Sequence, residues 1–312
     1  MMQDAEINAG AFPLRRENRL ASVAKGAMNF ARAKPLGAIS AIAIFALFVI
    51  AIFGPLFQPY DPDDLFVGKI NTAPNREFWF GTDNLGRDVL SRTIAGTRIS
   101  LYVGVVAVLV ATSIGATIGL ISGYYAGAFD ILVQRVIDAL QAFPALILAL
   151  GIIAVRGPST NNSLLVISVV LIPGGARIVR GAVLSAKENI YVDASRALGA
   201  SNFRIMFRHI LPNVTAPIIV NASILLGAAI LFEASLSFLG AGGKPTDPSW
   251  GAMISGRAGS GVNTVLDYQQ WPWLAVAPAA MICAAVFSFN LLGDAIRDVM
   301  DPRLRGTGGR LG

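Results

Sequence analysis

Charged side chains are scarce in this sequence. Aspartate, glutamate, lysine and arginine together make up only 14% of its 312 residues, whereas 54% are hydrophobic. An average soluble domain carries roughly 25% charged residues, which keep its surface in water. The composition therefore excludes an ordinary soluble domain and indicates an integral membrane protein.

Cysteine and histidine are almost absent, with one residue of each. Cys283 lies within an apolar run and has no second cysteine to pair with, so we interpret it as a small core residue. His209 has no cysteine or further histidine with which to share a metal ion. An intramembrane enzyme would need clustered histidines or paired aspartates at membrane depth. We therefore predict no catalytic residue, no metal site and no cofactor bound by this chain.

A basic tract is also missing, although the net charge is +6. Lysines and arginines flank the apolar segments, which argues against nucleic acid as a partner and for the lipid bilayer. With an inside N-terminus, the cytoplasmic segments carry 17 of the 25 basic residues and the outer segments carry 8. The positive-inside rule then predicts that the N- and C-termini are both cytoplasmic.

Six apolar segments are long enough to cross roughly 30 Å of hydrocarbon, which takes about 20 residues of helix. They are 36–57, 99–123, 131–155, 163–182, 211–240 and 272–294. The third is the weakest, because Asp130, Arg135 and Asp138 fall around its first two turns. We expect these charges to pair with Arg177 or Arg180. The fifth is too long for one straight crossing, so we expect it to tilt or break near its end.

The sequence thus predicts an all-α polytopic membrane protein with six transmembrane helices. Its parts are a cytoplasmic N-terminal segment at 1–35, a first transmembrane helix at 36–57, an outer loop at 58–98, a transmembrane core at 99–300 and a cytoplasmic tail at 301–312. The first apolar run is too long and too deep in the chain for a cleaved signal peptide, so we expect it to remain as a span.

Glycines recur every four residues in the second span and the residues that follow it. Gly115, Gly119, Gly123 and Gly127 fall on one face of a helix. Small residues let two helix backbones approach closely, which matters in lipid because apolar side chains give helices little reason to associate. We expect this stripe to pack against another helix, with lining of a pathway as the alternative.

A polar segment at about 188–203 lies between the fourth and fifth spans. Its first part can form about three helical turns that end at Gly199, because glycine accepts the left-handed conformation that follows a helix. Ser201 is a suitable N-cap for a second helix. That helix leads to Leu211 and Pro212 in the first turn of the next span. These residues predict a helix–glycine–helix elbow at the membrane surface, slim enough to enter a groove.

The elbow resembles the cytoplasmic coupling loop of bacterial ABC importer permeases, whose short helix docks into a groove on an ATPase subunit. That family's pattern places Glu-Ala-Ala three residues before a glycine, with Leu-Pro further on. Here Asp193-Ala194-Ser195 stands for the triplet, Gly199 for the glycine and Leu211-Pro212 for the final pair. The acidic side chain is shorter, the third position stays small, and His209 replaces an apolar residue.

Three further motifs are similar to the dipeptide, oligopeptide and nickel importer subfamily. They are Phe80–Asp88 with its continuation to Leu101, Leu236–Gly240 with Pro248–Met253, and Phe289–Asp298 with Asp301–Arg303. The resemblance covers about residues 36–305. It is closest to the second, C-type permease of a peptide importer.

The resemblance implies a type I ABC importer permease fold in a bacterial inner membrane. A related B-type permease would complete a heterodimer around a path for di- or oligopeptides, nickel chelates, glutathione-like solutes or short saccharides. Two ABC ATPase subunits carrying ATP and Mg would bind inside, and an extracytoplasmic substrate-binding protein outside. The segment that comes nearest to a phosphate-binding loop is Gly242–Thr246, which has proline where serine or threonine is required. We therefore expect the partners, and not this chain, to hydrolyse ATP.

Three groups of residues are candidate sites under this resemblance. The ATPase-coupling group is Asp193, Ala194, Ser195, Arg196, Gly199, Arg204, Leu211 and Pro212; the pathway or gate group is Glu233 and Arg177; the outer group is Asp83, Arg87, Asp88 and Arg92. Glu233, at membrane depth, either lines the pathway or holds the end of its helix by a hydrogen bond. The outer group either orders its loop as an ion-pair network or contacts the binding protein.

A secondary transporter or a channel not driven by ATP is the alternative function. Such a protein would need no ATPase-docking elbow and would more often show inverted repeats. The sequence shows no convincing internal repeat. A membrane scaffold without transport activity would not need the glycine-rich core.

Replacing Gly199 with a bulky residue should abolish solute uptake while leaving the protein in the membrane. A side chain at this position would strain the left-handed turn and thicken the elbow where it enters its groove. Uptake by cells and the amount of protein in the membrane fraction measure the two effects. Normal uptake by this variant would contradict a coupling role for the elbow.

Overall fold

The computed structural model describes residues 28–244, 246–256 and 270–300. Within these ranges the chain is almost entirely helical, and one isolated β-bridge joins Thr82 to Asp88. Outside the described residues lie most of the predicted N-terminal segment, residues 257–269 between the fifth and sixth predicted spans, and the whole predicted tail 301–312.

The helices are named here in chain order. They are α1 (Pro35–Phe53, followed by a 3-10 turn at Gly54–Leu56), α2 (Val89–Tyr125), α3 (Gly127–Gln141), α4 (Ala145–Arg156), α5 (Thr160–Lys187), α6 (Ile190–Ala197), α7 (Asn202–Arg204, followed by a π-helical turn at Ile205–Ile210), α8 (Leu211–Phe238), α9 (Trp250–Ile254) and α10 (Trp273–Met300). A short helical stretch at 28–33 precedes α1.

Five helical stretches of the described chain are long and apolar enough to cross a membrane, or six if one bent pair is counted as a span. The bent pair is α3 and α4, which meet at 84°. It replaces the straight third span predicted at 131–155. Proline at position 144 explains the break, because it lacks a backbone donor and disfavours helical geometry at Phe143 before it.

The second span begins ten residues earlier than predicted. Asp88 caps α2, and its carboxylate accepts a hydrogen bond of 2.7 Å from the backbone N–H of Ser91. The predicted loop 58–98 thus includes the first turns of this helix. The fifth span was expected to tilt or to break near its end, and no break interrupts α8 before it ends at Phe238. The irregular part of that stretch instead lies ahead of α8, in the π-helical turn.

The glycine stripe of α2 packs directly on α5, as predicted. A Cβ atom added to Gly119 would lie 2.5 Å from the carbonyl oxygen of Ala176, and one added to Gly123 would lie 3.0 Å from the carbonyl oxygen of Arg180. Gly127 does not belong to the stripe. It has a positive φ of 63° and begins α3 after α2 has ended, so only the first three glycines serve this contact.

Buried apolar side chains fill the bundle around the α2–α5 pair. One cluster joins α2, α4, α5 and α8, and a second joins the ends of α2 and α5 to the elbow. The third brings α1 and α10 onto α2 and α8, with Leu47, Phe289 and Ile230 among its members. The α2–α5 pair therefore connects the outer half of the bundle to the elbow.

Gly119→Val should destabilise the protein by about 1–3 kcal/mol, the usual cost of overpacking a well-filled contact. The added side chain would meet the backbone of α5, which cannot rotate away. Thermal unfolding in detergent measures the change. Gly181→Ala is the control, because a Cβ atom there meets nothing within 4 Å and alanine is the better helix former. Equal stabilities for the two variants would contradict the close α2–α5 contact.

Candidate functional site

The predicted elbow forms at α6, and its turn has the geometry expected from the sequence. Gly199 follows the helix with a φ of +77°. The backbone N–H of Gly199 donates to the carbonyl of Arg196 at 2.9 Å, and that of Ala200 donates to the carbonyl of Ser195 at 3.0 Å. These two hydrogen bonds make a Schellman motif, which satisfies the last carbonyls of α6. Gly199 is therefore confirmed as the residue that ends the helix.

The second arm of the elbow differs from the prediction. Ser201 caps it as expected, accepting a hydrogen bond of 3.3 Å from the N–H of Arg204. However, the arm does not stop before the next span, because Asn202–Phe238 is one continuous helical stretch with the π-helical turn inside it. That turn widens the helix just ahead of Pro212, whose ring would crowd the preceding carbonyls in regular α-helical geometry.

One side of the elbow is anchored in the protein core. Val192, Ile205 and Ile210 are fully buried, and they pack with Leu120 of α2 and Val183 of α5. Each arm of the elbow thus contributes apolar side chains to one cluster. The elbow is therefore packed as one body with the neighbouring ends of α2, α5 and α8.

Two polar contacts that the sequence did not predict fix the elbow to the end of α2. The hydroxyl group of Tyr124 donates a hydrogen bond of 2.7 Å to the side-chain oxygen of Asn202. The guanidinium of Arg196 lies 5.8 Å from the centre of the Tyr124 ring, within range of a cation–π interaction. Tyr124 is far from the elbow in sequence, so only the fold brings these residues together.

The other side of α6 is open to its surroundings. Asp193, Ala194, Arg196 and Gly199 are exposed, Ser195 is half-buried, and Arg196 pairs with Asp193 at 3.4 Å. Large apolar side chains flank this small-residue surface. They are Ile190 (87% exposed), Leu198 (88%) and Phe203 (68%). Exposed apolar groups around a slim polar centre are typical of a protein-binding surface.

The remaining coupling candidates lie on the second arm. Arg204 and Pro212 line an open concavity with Phe203, Phe207 and Arg208, and the rings of Phe203 and Phe207 are 4.5 Å apart. Leu211 is half-buried between this arm and α8. The structure therefore separates the eight predicted residues into a group on α6 with its glycine and a group on the arm that enters the membrane span.

The two pathway candidates are both bonded to neighbouring helices. Glu233 is 2% exposed, and its carboxylate accepts hydrogen bonds from the hydroxyls of Ser100 at 2.8 Å and Ser237 at 2.7 Å. It thus joins α8 to α2 inside the bundle. Arg177 on α5 donates a short hydrogen bond to Asp138 on α3, and both side chains are half-exposed.

Three of the four outer candidates form the predicted ion-pair network. Arg87 contacts Asp83 at 2.7 Å, and Arg92 lies 3.8 Å from the same carboxylate. Arg92 also donates to the carbonyl of Pro62 at 2.8 Å. Asp88 differs from the prediction, because it caps α2 and makes no ion pair with a described residue. Arg87 and Arg92 are 2% and 1% exposed, so they order the loop from within.

The described residues contain no group of three or more histidine, cysteine, aspartate or glutamate side chains placed to hold a metal ion. Their arrangement is that of a helical bundle with close glycine contacts between apolar helices and an elbow with one exposed side. These features define a multi-pass membrane protein.

Two family models match this chain. The family described as "Binding-protein-dependent transport system inner membrane component" matches residues 115–306, and "N-terminal TM domain of oligopeptide transport permease C" matches residues 26–74. The chain belongs to this family of binding-protein-dependent inner-membrane permeases. Such a subunit is not itself a catalyst.

Individual relatives are also membrane permeases of transport systems. The glutathione transport system permease protein GsiD of Pectobacterium atrosepticum is 40% identical over 85% of this chain and 87% of its own length. The dipeptide transport system permease protein DppC of Alkalihalophilus pseudofirmus is 40% identical over 86% of each chain. A chain of the MetNI methionine ABC transporter in an inward-facing conformation shares the fold, with a TM-score of 0.54 at 19% identity over 68% of this chain and 97% of its own.

Arg92→Met should make the outer loop cleave at least ~10-fold faster with trypsin after Lys69 and Arg76. Removing Arg92 leaves the carbonyl of Pro62 without its charged donor, which costs about 1–3 kcal/mol, and proteolysis follows the population of the opened loop. Digestion of the purified protein with mass spectrometry of the fragments measures this. Arg98→Met, which removes an exposed arginine one and a half turns further along α2, should leave the rate unchanged. Equal rates for the two variants would show that Arg92 does not order the loop.

Proposed function

We propose that this chain is the C-type permease of an ATP-driven importer of di- or oligopeptides, or of a related small solute such as glutathione. The proposal rests on the elbow, which combines the family's acidic-small-small pattern at Asp193–Ser195 with an exposed surface on a rigid base. The peptide class is supported by relatives named for dipeptide and glutathione transport. The chain would lie in a bacterial inner membrane with both termini in the cytoplasm.

The surface of α6 suits a groove on an ATPase subunit. Ala194, Ser195 and Gly199 keep the centre of the elbow thin, so a partner's side chains can close around it. Ile190 and Leu198 lie at the two ends of α6 and would be buried on docking, which supplies the apolar part of the binding free energy. Asp193 and Arg196 would give orientation through polar contacts, and Arg204 would contact the rim of the groove from the second arm.

The rigid side of the elbow explains how docking would move the membrane helices. Val192 and Ile205 tie the two arms to α2 and α5, and the helix of the second arm continues into α8 without a break. Two ATPase subunits that close on ATP and Mg would therefore carry these helices with them. Because the elbow cannot bend independently, the closing motion is not lost in a flexible loop.

The other partners would complete the transport path. A related B-type permease would form the second half of the pathway, and a substrate-binding protein would deliver the solute from outside. The residues of the outer loop that are free to meet it are exposed side chains such as Trp79 and Phe66, which are 70% and 68% exposed. The buried outer group Asp83, Arg87 and Arg92 would support that loop. Arg177 and Glu233 would act by positioning helices of the path.

The nucleotide-dependent contact of Ala194 tests this function. Ala194→Cys in a Cys283→Ala background, labelled with a benzophenone photo-crosslinker, should crosslink to co-purified ATPase subunits. The yield should change between the nucleotide-free and ATP-bound states, because closure of the ATPases alters the groove around α6. Gel electrophoresis with mass spectrometry of the product measures the yield.

Ile42→Cys is the matched control, because this residue is 69% exposed on the membrane helix α1 and should give no ATPase crosslink. A secondary transporter would need no ATPase subunit and should give no ATPase crosslink from Ala194. If no ATPase co-purifies from native membranes and Ala194 yields no crosslink, transport driven without ATP becomes the better explanation.

A further inference from the structure

Helix α3 is held to the protein by very little apolar packing. Only two of its 15 residues are buried, Asp130 and Ile137. Its large apolar side chains are mainly exposed, among them Phe129 (48%), Leu132 (65%) and Val136 (57%). In lipid, close packing and polar contacts rather than apolar burial hold helices together. The buried face of α3 offers only one isoleucine for packing, so its polar contacts matter most.

Two ion pairs supply those contacts, and both lead to α5. Arg180 donates from Nε and Nη2 to the two carboxylate oxygens of Asp130 at 2.6 and 2.5 Å, and the hydroxyl of Ser122 on α2 donates to the same carboxylate at 2.5 Å. Eight residues further along α3, Asp138 is paired with Arg177. A bidentate arginine–carboxylate contact fixes orientation as well as distance, which apolar packing does not.

The two arginines lie on the part of α5 that packs toward the elbow. The backbone of Arg180 lies against Gly119 and Gly123 of α2, where an added Cβ atom would come within 3.0 Å or less of it. Further along α5, Val183 belongs to the same buried cluster as Val192 of α6. Arg177, Arg180 and the elbow therefore form parts of one packed unit.

A proline interrupts the hydrogen bonds of α5 just before these arginines. Pro173 inside the helix removes one backbone hydrogen bond, and Gly174 and Gly175 follow it directly. The backbone at this point is nevertheless packed on α2, because a Cβ atom added to Gly115 would come 3.1 Å from the carbonyl oxygen of Ile172 and 3.2 Å from the backbone nitrogen of Ala176. The two arginines therefore follow a part of α5 that lies firmly against α2.

Both ends of α3 are breaks in the helical backbone. At its start, Ala126 and Gly127 have positive φ angles of 53° and 63°. At its end, the chain bends by 84° into α4. A short helix between two breaks can change direction as a unit, so the ion pairs to α5 decide which part of the bundle it follows.

We propose that the pairs Asp130–Arg180 and Asp138–Arg177 are positioning residues of the transport cycle, which make the bent segment α3–α4 follow the elbow. This inference rests on the proposed function, because it needs an ATPase to move the elbow. The half-exposed Asp138–Arg177 pair contributes little to stability, as is usual for exposed ion pairs. Its contribution is geometric: it keeps the far end of α3 attached to α5 when α5 moves with the elbow.

Distance measurements in the assembled transporter test the proposal. Spin labels at Leu132→Cys on α3 and Ser185→Cys on α5, in the Cys283→Ala background, report the separation of the two helices by electron spin resonance. The complex is purified with its co-expressed permease and ATPase partners in nanodiscs, without nucleotide and with ATP plus vanadate. In the otherwise unaltered complex the distance should stay the same in both states.

In the double variant Asp130→Asn/Asp138→Asn, the distance between the two spin labels should differ between the nucleotide-free and the ATP–vanadate state. The difference should exceed the width of the distance distribution in the unaltered complex. The reversed pair Asp138→Arg/Arg177→Asp, which keeps Asp130 intact, should restore the constant distance. Lys34→Gln is the matched control, because it breaks an ion pair that does not involve α3. Lys34, just before α1, pairs with Asp298 of α10 at 2.5 Å. This variant should behave as the unaltered complex does.

Two results would overturn the proposal. One is a nucleotide-dependent distance in the unaltered complex, and the other is an unchanged distance in Asp130→Asn/Asp138→Asn. Either result with ATPase subunits present would leave the proposed function standing and remove only this inference. Absence of ATPase subunits from the purified complex would remove both.

Discussion

The close approach of α2 and α5 is the constraint on which the rest of this structure depends. In lipid, apolar side chains gain little by leaving one apolar surrounding for another, so helices associate where their backbones fit closely or polar groups join them. Gly115, Gly119 and Gly123 provide that fit against Ala176 and Arg180. The same contact brings the arginines of α5, the end of α2 and the elbow into one unit. Without it, α6 would have no firm base.

Local chemistry decided which features could be predicted from the sequence. The end of α6 at Gly199 and the cap at Ser201 depend on a few neighbouring residues, and both are confirmed. The four-residue spacing of glycines likewise identified a helix contact, although it extended the stripe one glycine too far. The membrane-spanning character of the chain followed from composition alone. These features share one property: the determining residues lie within a few turns of one another.

The remaining features depend on contacts between distant parts of the chain. Hydropathy cannot distinguish a straight span from the bent pair α3–α4, because both are apolar. Which side of the elbow is exposed depends on the fold, because contacts with α2 and α5 bury Val192 and Ile205 on the other side. Asp88 caps the helix that follows it, a local role that its residue type favours. Arg92 instead binds the carbonyl of Pro62 some thirty residues away, a contact that the sequence could not indicate.

The π-helical turn at Ile205–Ile210 sets the angular position of everything that follows it. Each residue of an α-helix advances the side-chain direction by roughly 100°, so one extra residue in a turn rotates the rest of the helix relative to its beginning. Because the elbow is fixed by its buried cluster, this rotation determines which face of α8 packs on α2, α5 and α10 and which face points away from the bundle. The side chains that α8 turns outward are therefore chosen in a turn some twenty residues before Glu233.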